Sequence, residues 1–414
     1  MRERLFDAKE YILDNGIQLV TIKKETKLAS IHIGLKVGSL YEDMDEKGIS
    51  HFIEHMLFKG TEKRDNAQVN QDLEERAGSY NAYTDYTSTV YSITSLSDEL
   101  ESSIEVLYDI IINSTFPEEE VEKEKGVILA EIRSSVDDIE QYSINKAHEY
   151  AFKKSPLRHD ILGEVSTVKS FTRGQLVEFY HSYYVPNRCV ISVVSPYAHE
   201  DVKTLIEKYF IEWTKKEIIE KDVVVEKNIG IEKVTYKKHI EQNTLVYLYT
   251  FHGLTRLEEL TLDILNHRLG ESSNSILFRE LREKKGLAYD VYSQMDTTES
   301  IKTLYIYTAV GKEHVYNAKE IIQECIDKIK NREIRIDEKD VELMRKIIKT
   351  AIASILENSQ GLGNYVLHQK LMGKRIDAFI DDLELLDKIQ TEDVYKIAKK
   401  VLDNPTIHIL LNKN

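Results

Sequence analysis

A repeat along the chain is the feature that most constrains how these 414 residues can fold. Moving the second half back by about 220 residues superimposes matching positions. These include Val341 on Val121, Ile352 on Ile132 and Ser354 on Ser134. The segment 303–310 likewise matches 89–96, and an apolar helix pattern follows each. One repeat at such a spacing is typical of a duplicated domain and is too long for a solenoid.

The length of the chain also favours two domains of about 200 residues, because one hydrophobic core rarely serves a chain this long. Near the middle lies a stretch that is rich in lysine and glutamate and has no apolar periodicity, which is typical of a linker. We therefore predict an N-terminal domain at 1–212, a linker at 213–233 and a C-terminal domain at 234–414.

Both predicted domains mix strands and helices. Apolar residues alternate along 31–37, which predicts a strand with one buried face, and residues 245–251 alternate in the same way. Pro117 and the three glutamates after it predict the start of a helix that runs through Glu131, because proline suits the first turn and the acids complement the helix dipole. The expected fold class is α+β, with helices covering an antiparallel-rich mixed sheet in each of two similar domains.

Composition narrows the class of protein. Apolar residues make up 42% of the chain, as in globular proteins, and the net charge of −15 argues against a nucleic-acid partner. Cys189 and Cys325 lie far apart and form no CxxC motif, which fits a reducing compartment. The first ten residues have no apolar core of a secretory signal, and no apolar run is long enough to span a membrane. We expect a soluble, cytoplasmic protein.

The stretch GISHFIEHMLFKG at 48–60 carries candidate chemistry. His51 and His55 lie four residues apart with Glu54 between them, so a helix presents all three side chains on one face. The apolar residues among them predict a largely buried turn, and buried histidines and glutamates need partners. Zinc binds pairs of imidazoles, and a hydrolytic zinc site needs a nearby carboxylate that takes a proton from its water. The simpler interpretation is a surface helix with two unrelated histidines.

A catalytic zinc needs a third protein ligand and one open position. Glu131 is the best candidate, because Glu124, Ile128 and Glu131 form one stripe along a helix. Most glutamates on this helix are expected to be solvated, so the spacing alone does not decide the ligand. Asp85 and Glu74 are the alternatives.

The second half of the chain lacks this pattern. The repeat places Glu131 on Ala351. Residues 259–270, which should match the histidine helix, contain only His267 and no HxxEH motif. One half has kept metal chemistry that the other half lost or never had, so we predict one zinc ion per chain.

Several segments together resemble the pitrilysin or insulinase family of zinc metallopeptidases, the inverzincins. The central one is HFIEHMLFKGT at 51–61, followed by Glu131. The length and the duplication resemble the two-domain branch of this family, which includes the mitochondrial processing peptidase subunits and their bacterial relatives. Matching segments run along essentially the whole chain and include LDNG at 13–16, NAYT at 81–84, EKGVILAE at 124–131 and LFRELREKKGLAY at 277–289.

For the metal site, the resemblance implies a role for each matching side chain. His51, His55 and Glu131 would bind zinc. Glu54 would be the general base and would later donate the proton to the leaving amine. Glu124, two turns before the third ligand, matches a second family carboxylate that supports the site.

For the substrate, the resemblance implies two binding elements. The stretch from Asn81 to Thr84 matches an edge strand on which the substrate lies, with Asn81, Ala82 and Tyr83 as the predicted substrate-binding residues. A peptide that joins such an edge gains main-chain hydrogen bonds whatever its sequence. Arg282 and Tyr289 match a pair that holds the substrate and stabilises the oxyanion. Without the resemblance, a charged helix end followed by a buried tyrosine is the better interpretation of this pair.

The resemblance implies a zinc endopeptidase that cleaves small unfolded peptides or targeting peptides inside a closed chamber. Relatives close that chamber from four such domains, so we expect a homodimer or a pair with a related subunit. Residues 269–278 lack the glycine-rich run of many relatives, which argues against presequence-type specificity. The alternative function is a non-catalytic peptide-binding or partner subunit of a heterodimeric peptidase, although such members typically lose the HxxEH residues.

Overall fold

The computed structural model describes residues 5–76, 78–218 and 221–413. Outside this part lie residues 1–4 and 77 of the predicted N-terminal domain, residues 219 and 220 of the predicted linker, and the last residue. The described residues form two sheets covered by helices, and the fold is α+β as predicted. No described helix is both long and apolar enough to cross a membrane.

The strands are β1 (Asp7–Ile12), β2 (Gln18–Lys23), β3 (Leu28–Leu35), β4 (Ser79–Thr84), β5 (Thr89–Leu96), β6 (Cys189–Ser195), β7 (Glu232–Lys237), β8 (Asn243–Thr250), β9 (Ala288–Asp296), β10 (Thr303–Val310) and β11 (Thr406–Asn412). The α-helices are α1 (Ile49–Leu57), α2 (Asn66–Arg76), α3 (Leu100–Ile112), α4 (Glu118–Asp137), α5 (Ile139–Ala151), α6 (Val165–Ser170), α7 (Arg173–Tyr183), α8 (His199–Phe210), α9 (Arg256–Asn266), α10 (Val315–Lys330), α11 (Glu338–Glu357), α12 (Ser359–Leu371), α13 (Ala378–Leu386) and α14 (Thr391–Val401). Two π-helical turns follow α9, at His267–Glu271 and Phe278–Lys284.

Apart from the additional edge strand β1, the two sheets repeat one strand order, which confirms the predicted duplication. The first is β1-β2-β6-β3-β5-β4 and the second is β7-β11-β8-β10-β9. Each contains one parallel pair, β2 with β6 and β7 with β11, and its other pairs are antiparallel. Helices α4 and α11 each have 20 residues, and α5 and α12 each have 13. The sheets are therefore mixed and rich in antiparallel pairs, as expected.

The described chain divides into two compact units, and neither is a continuous half of the sequence. The first contains residues up to 133, 160–222 and 352–377. The second contains 134–159, 223–351 and the residues from 378 onward. Helix α12 therefore belongs to the first unit and α5 to the second. The boundaries predicted from the repeat, 1–212 and 234–414, remain a prediction about sequence-defined domains.

In the first unit, helices cover both faces of the sheet. The core on one face joins α1, α3, α4 and α7 to apolar residues of β3 and β5. On the other face, α12 packs across β3 and β6, with Leu362 and Val366 against Val20, Ile22 and Val194. This arrangement places the histidine helix on one side of the sheet and α12 on the other.

The prediction that β3 has one buried face is wrong, because its second face lies under α12. His32 is 2% exposed, and Gly34 allows a close approach, since a Cβ there would lie 2.9 Å from Cδ1 of Leu371. Gly363 of α12 approaches in the same way, with a Cβ position 2.7 Å from Nδ1 of His32. In the sequence, the small and polar residues that alternate with the apolar ones of β3 look like a face exposed to solvent. In the structure, they allow α12 to pack closely on that face.

The second unit has the same layered arrangement. Helices α9, α10 and α14 pack in the core on one face of its sheet. Helix α5 covers the other face across β8 and β11, where the hydroxyls of Ser143 and Thr244 are hydrogen-bonded. His408 of β11 is fully buried, and its Nε2 lies 2.8 Å from the hydroxyl of Thr235.

Candidate metal centre

Helix α1 carries the HxxEH motif on the side opposite its core contacts. Its fully buried residues are Phe52, Ile53, Met56 and Leu57. The prediction of a largely buried turn is confirmed. Because the apolar side is locked into the core, the side chains of His51, Glu54 and His55 project from a rigid helix on one face.

A buried carboxylate holds the start of α1. Glu42 is 4% exposed and accepts hydrogen bonds from the backbone N–H groups of Gly48 and Ser50, each at 2.9 Å. Burial raises the pKa of Glu42 to about 7, although these hydrogen bonds and Lys47 favour the carboxylate. The sequence analysis did not identify Glu42. The one pattern that could have indicated it is an acidic residue a few positions before Gly48, where α1 begins.

Three donor atoms converge beside α1 and form what we call the candidate metal centre: Nε2 of His51, Nε2 of His55 and Oε2 of Glu131. The two nitrogens lie 3.2 Å apart, and the oxygen lies 3.7 Å from each. In a tetrahedral zinc site with bonds of about 2.0–2.1 Å, neighbouring ligand atoms lie about 3.3–3.4 Å apart. The observed spacing is close to this value, so the residues present fit a zinc ion.

Glu124 fixes the orientation of one ligand. Nδ1 of His55 donates a hydrogen bond to Oε1 of Glu124 at 2.8 Å, and Nζ of Lys59 lies 2.8 Å from Oε2 of the same carboxylate. Glu124 is 3% exposed. A proton held on Nδ1 leaves the Nε2 lone pair of the neutral ring for a metal, as outer carboxylates do in many zinc sites.

The pKa values of the two histidines are shifted in opposite directions. Burial and the neighbouring imidazole of His55 lower the pKa of His51 to about 3, so its ring is neutral. Burial also disfavours the charged form of His55, but the hydrogen bond to Glu124 and the charge of Glu131 raise its pKa. Nδ1 of His51 is buried and has no hydrogen-bond partner among the described residues. Two facing Nε2 atoms at 3.2 Å can share only one proton, whereas a cation accepts both lone pairs.

Glu54 lies on the same face of α1 and has one partner that sequence reasoning did not single out. The hydroxyl of Thr84 donates a hydrogen bond to Oε2 of Glu54 at 2.6 Å. Burial raises the pKa of Glu54, and this hydrogen bond opposes the shift. A largely buried carboxylate next to a metal centre has the environment that a general base requires.

The two alternative third ligands lie outside the candidate metal centre. Asp85 closes the turn between β4 and β5, where its Oδ1 accepts the backbone N–H groups of Thr87 and Ser88 at 2.6 Å each. Glu74 is exposed on α2. Among the described residues, the centre that includes Glu131 is the one group of three or more His, Cys, Asp or Glu whose ligand atoms come together.

Strand β4 contains Asn81, Ala82 and Tyr83 and pairs only with β5 among the described strands, so its outer edge carries no neighbouring strand. Ala82 packs against the core that contains α1. Tyr83 faces the other side of the sheet, where its hydroxyl donates to Oδ1 of Asn364 at 3.0 Å and lies 2.7 Å from Nε2 of His368. Both partners are on α12, and no sequence pattern indicated either of them.

Arg282 and Tyr289 lie in the second unit, whereas the other predicted site residues lie in the first. Arg282 is in the second π-helical turn, and its guanidinium lies 5.0 Å from the ring centroid of Phe278. Tyr289 is on β9 and is 70% exposed, unlike the buried tyrosine of the simpler interpretation. Isolated π-helical turns are frequent at functional sites, and an exposed tyrosine hydroxyl remains available to a ligand.

The helix of the second half that matches α1 has ion pairs in place of a metal group. On α9, Glu259 lies 2.6 Å from Nζ of Lys302 and 3.0 Å from the guanidinium of Arg256. His267 follows α9 and contacts Glu271 at 3.1 Å. Within the described residues, this half brings no metal-ligating group together.

Comparison with protein families assigns two different family models to successive parts of the chain. Residues 18–165 match the model described as Insulinase (Peptidase family M16). Residues 170–348 match the model described as Peptidase M16 inactive domain. The candidate metal centre lies entirely within the first match.

Full-length relatives agree with these matches. An uncharacterized zinc protease, YmxG of Bacillus subtilis, is 33% identical over 404 residues, which is 95% of each chain. The mitochondrial-processing peptidase subunit beta of Dictyostelium discoideum is 26% identical and matches 96% of this chain and 86% of its own. The crystal structure of a protease from Helicobacter pylori has the same fold, with a TM-score of 0.90 over 99% of this chain and 100% of its own at 22% identity.

A duplicated α+β chain with two histidines and a glutamate gathered beside one helix defines the class of the protein, that of the two-domain metallopeptidases. The chain belongs to the insulinase family, peptidase family M16. The resemblance identified from the sequence is thereby confirmed.

Proposed function

We propose that this chain is a zinc-dependent endopeptidase of the HxxEH type with one zinc ion per chain. The observation that carries the proposal is the convergence of the His51, His55 and Glu131 donor atoms within 3.2–3.7 Å, on a helix that also presents Glu54. The zinc proteases among its relatives support the same activity.

Each residue of the site has a task in peptide hydrolysis. A zinc ion held by His51, His55 and Glu131 would supply a water with a pKa of about 7 and would polarise the peptide carbonyl. Glu54 would take the proton of the attacking water and carry it to the amine nitrogen of the leaving product. Glu124 would keep the proton of His55 on Nδ1, so that Nε2 stays directed at the metal.

The proposed substrate class is supported by the outer edge of β4, which pairs with no other described strand. An extended peptide can pair with the backbone of Asn81, Ala82 and Tyr83, and such pairing depends on main-chain groups rather than on side chains. Most extended segments of a folded protein already pair within its own sheets, whereas an unfolded peptide is free to pair at this edge. We therefore propose small unfolded peptides or targeting and leader peptides as substrates, cleaved inside a closed chamber.

The proposed activity is tested with a quenched, unstructured peptide, with and without a chelator. We expect cleavage that the chelator abolishes, that added zinc restores, and that Glu54→Gln removes while zinc remains bound. Glu122→Gln, an exposed residue of α4, is the matched control and should keep full activity. Cleavage that is unaffected by the chelator or by Glu54→Gln would contradict the proposal.

For the assembly, we propose that two chains combine and that Arg282 and Tyr289 of each complete the site of the other. The exposure of both residues supports a role toward a bound molecule. Mixing Glu54→Gln chains with Arg282→Ala chains should restore activity, because one hybrid site then has both an intact base and an intact arginine. Activity confined to mixtures with Arg279→Ala, a matched exposed arginine, would contradict this exchange of residues between chains.

A non-catalytic partner subunit is the second candidate function. The match of residues 170–348 to a family model described as inactive domain is the observation that favours it. The candidate metal centre argues against it, because a binding subunit has no use for a base beside two histidines and a glutamate. Zinc binding without turnover of any of a broad set of peptides would support this second function.

A further inference from the structure

We infer that Thr84 is a positioning residue for Glu54 and links the base to the strand that binds substrate. The inference rests on the proposed peptidase function. It starts from one contact: the Thr84 hydroxyl donates to the Glu54 carboxylate at 2.6 Å, a distance typical of a strong, charge-assisted hydrogen bond. Nothing in the sequence distinguishes this threonine from its neighbours in β4.

The surrounding hydroxyls direct the proton of Thr84 to Glu54. The hydroxyl of Thr89 lies 3.4 Å from that of Thr84, but it donates its own proton to the backbone carbonyl of Val37 at 3.0 Å. An ionised carboxylate can only accept hydrogen bonds. Thr84 is therefore the donor, and Glu54 is its acceptor.

This hydrogen bond assigns separate roles to the two carboxylate oxygens. The terminal torsion of a glutamate side chain is broad, so an unrestrained carboxylate rotates freely. Thr84 engages one oxygen of Glu54 and thereby fixes the plane of the carboxylate. The other oxygen is left to take the proton from the attacking water, and a base misplaced by about 1 Å can lose on the order of 100-fold in rate.

Thr84 is also the last residue of β4, so its position depends on the strand. The neighbouring Tyr83 is held from the opposite face by Asn364 and His368 of α12. The strand is thus fixed on both sides, between the base on α1 and the α12 helix. A peptide that pairs with the edge of β4 meets a strand whose final side chain already orients the base.

Two substitutions of Thr84 separate this role from a structural one. Thr84→Val keeps the shape and the strand preference but removes the donor, whereas Thr84→Ser keeps the donor and removes a methyl group. We expect Thr84→Val to lower kcat about 10-fold or more with KM within about 2-fold of wild type, and Thr84→Ser to retain kcat within about 3-fold. Zinc content and the unfolding midpoint should match wild type in both variants.

Thr94→Val on the adjacent strand is the matched control, because its hydroxyl contacts Ser30 at 2.9 Å and not the base. It should leave kcat and KM unchanged. Equal kcat in Thr84→Val and wild type, equal losses in Thr84→Val and Thr84→Ser, or a loss confined to KM would overturn the inference. An inactive wild-type protein would instead contradict the proposed function itself, so the two failures are distinguishable.

Discussion

Glu124 accepts a hydrogen bond from Nδ1–H of His55 at 2.8 Å on one carboxylate oxygen, and its other oxygen lies 2.8 Å from the ammonium group of Lys59. The carboxylate is nearly fully buried, so its charge acts on the histidine with little screening by water. The ring of a predicted zinc ligand is thus oriented from outside the metal centre.

Glu124→Gln should therefore weaken zinc binding about 10- to 100-fold, because the amide supports the required tautomer of His55 less well. The measurement is a competition titration of the zinc-free protein against a chelator of known affinity. Glu122→Gln on the exposed side of α4 is the control and should bind zinc like wild type. Equal affinities of the two variants would contradict a supporting role for Glu124.

The third ligand can be identified by comparing three carboxylates. Glu131→Gln should abolish stoichiometric zinc binding at micromolar zinc, whereas Glu74→Gln and Asp85→Asn should retain it. Asp85→Asn should lower the thermal midpoint instead, since Asp85 accepts two backbone N–H groups in the β4–β5 turn. Metal analysis of the purified variants measures the first effect, and retention of zinc by Glu131→Gln would exclude it as a ligand.

His32 should make the protein less stable in mild acid. Burial, together with His368, lowers the pKa of His32 to about 4, below its unfolded value of about 6.5, so the unfolded chain binds the extra proton first. Stability is complete above pH 6.5 and falls toward pH 4, by about 2 kcal/mol at pH 5 for this group. Chemical denaturation at pH 7 and pH 5 should show a smaller loss for His32→Gln, and an equal loss would contradict the assignment.

Replacing either of two glycines with alanine should change the stability of the protein, but in opposite directions. At Gly363 a Cβ would lie 2.7 Å from Nδ1 of the buried His32 ring, so Gly363→Ala should destabilise the protein by about 1–3 kcal/mol. At Gly126, in the middle of α4, a Cβ would meet nothing within 4 Å, so Gly126→Ala should stabilise it by about 0.5–1 kcal/mol. Thermal midpoints measure both changes, and a Gly363→Ala variant that is as stable as wild type would argue against the close packing of α12.

Much of the fold was predictable because it depends on local patterns and on the repeat. Pro117 and the following acids correctly predicted the start of α4, and the apolar alternation of 31–37 correctly predicted β3. The second buried face of β3 could not be predicted, because it is covered by a helix more than three hundred residues later in the chain. A sequence pattern predicts the exposure of a residue only when the residues that cover it lie nearby in the chain.

The same distinction applies to the candidate site. The side chains of α1 were predictable, since four-residue spacing on a helix fixes their common face. Glu131 was one of three open candidates, because only the packing of α4 beside α1 brings it to 3.7 Å from both imidazoles. Glu42 and the contact of Thr84 with Glu54 were missed, since a carboxylate or hydroxyl that supports another residue carries no spacing signal of its own.

A titration of the zinc-free protein with zinc, followed by cleavage of the quenched peptide, decides whether this chain is a zinc peptidase with Glu54 as its base. We expect a rate that rises linearly to one zinc per chain and then stays constant, and a Glu54→Gln variant that binds the same equivalent of zinc without turnover. A rate that does not depend on zinc, or a Glu54→Gln variant that binds one zinc and cleaves at the wild-type rate, would contradict this function.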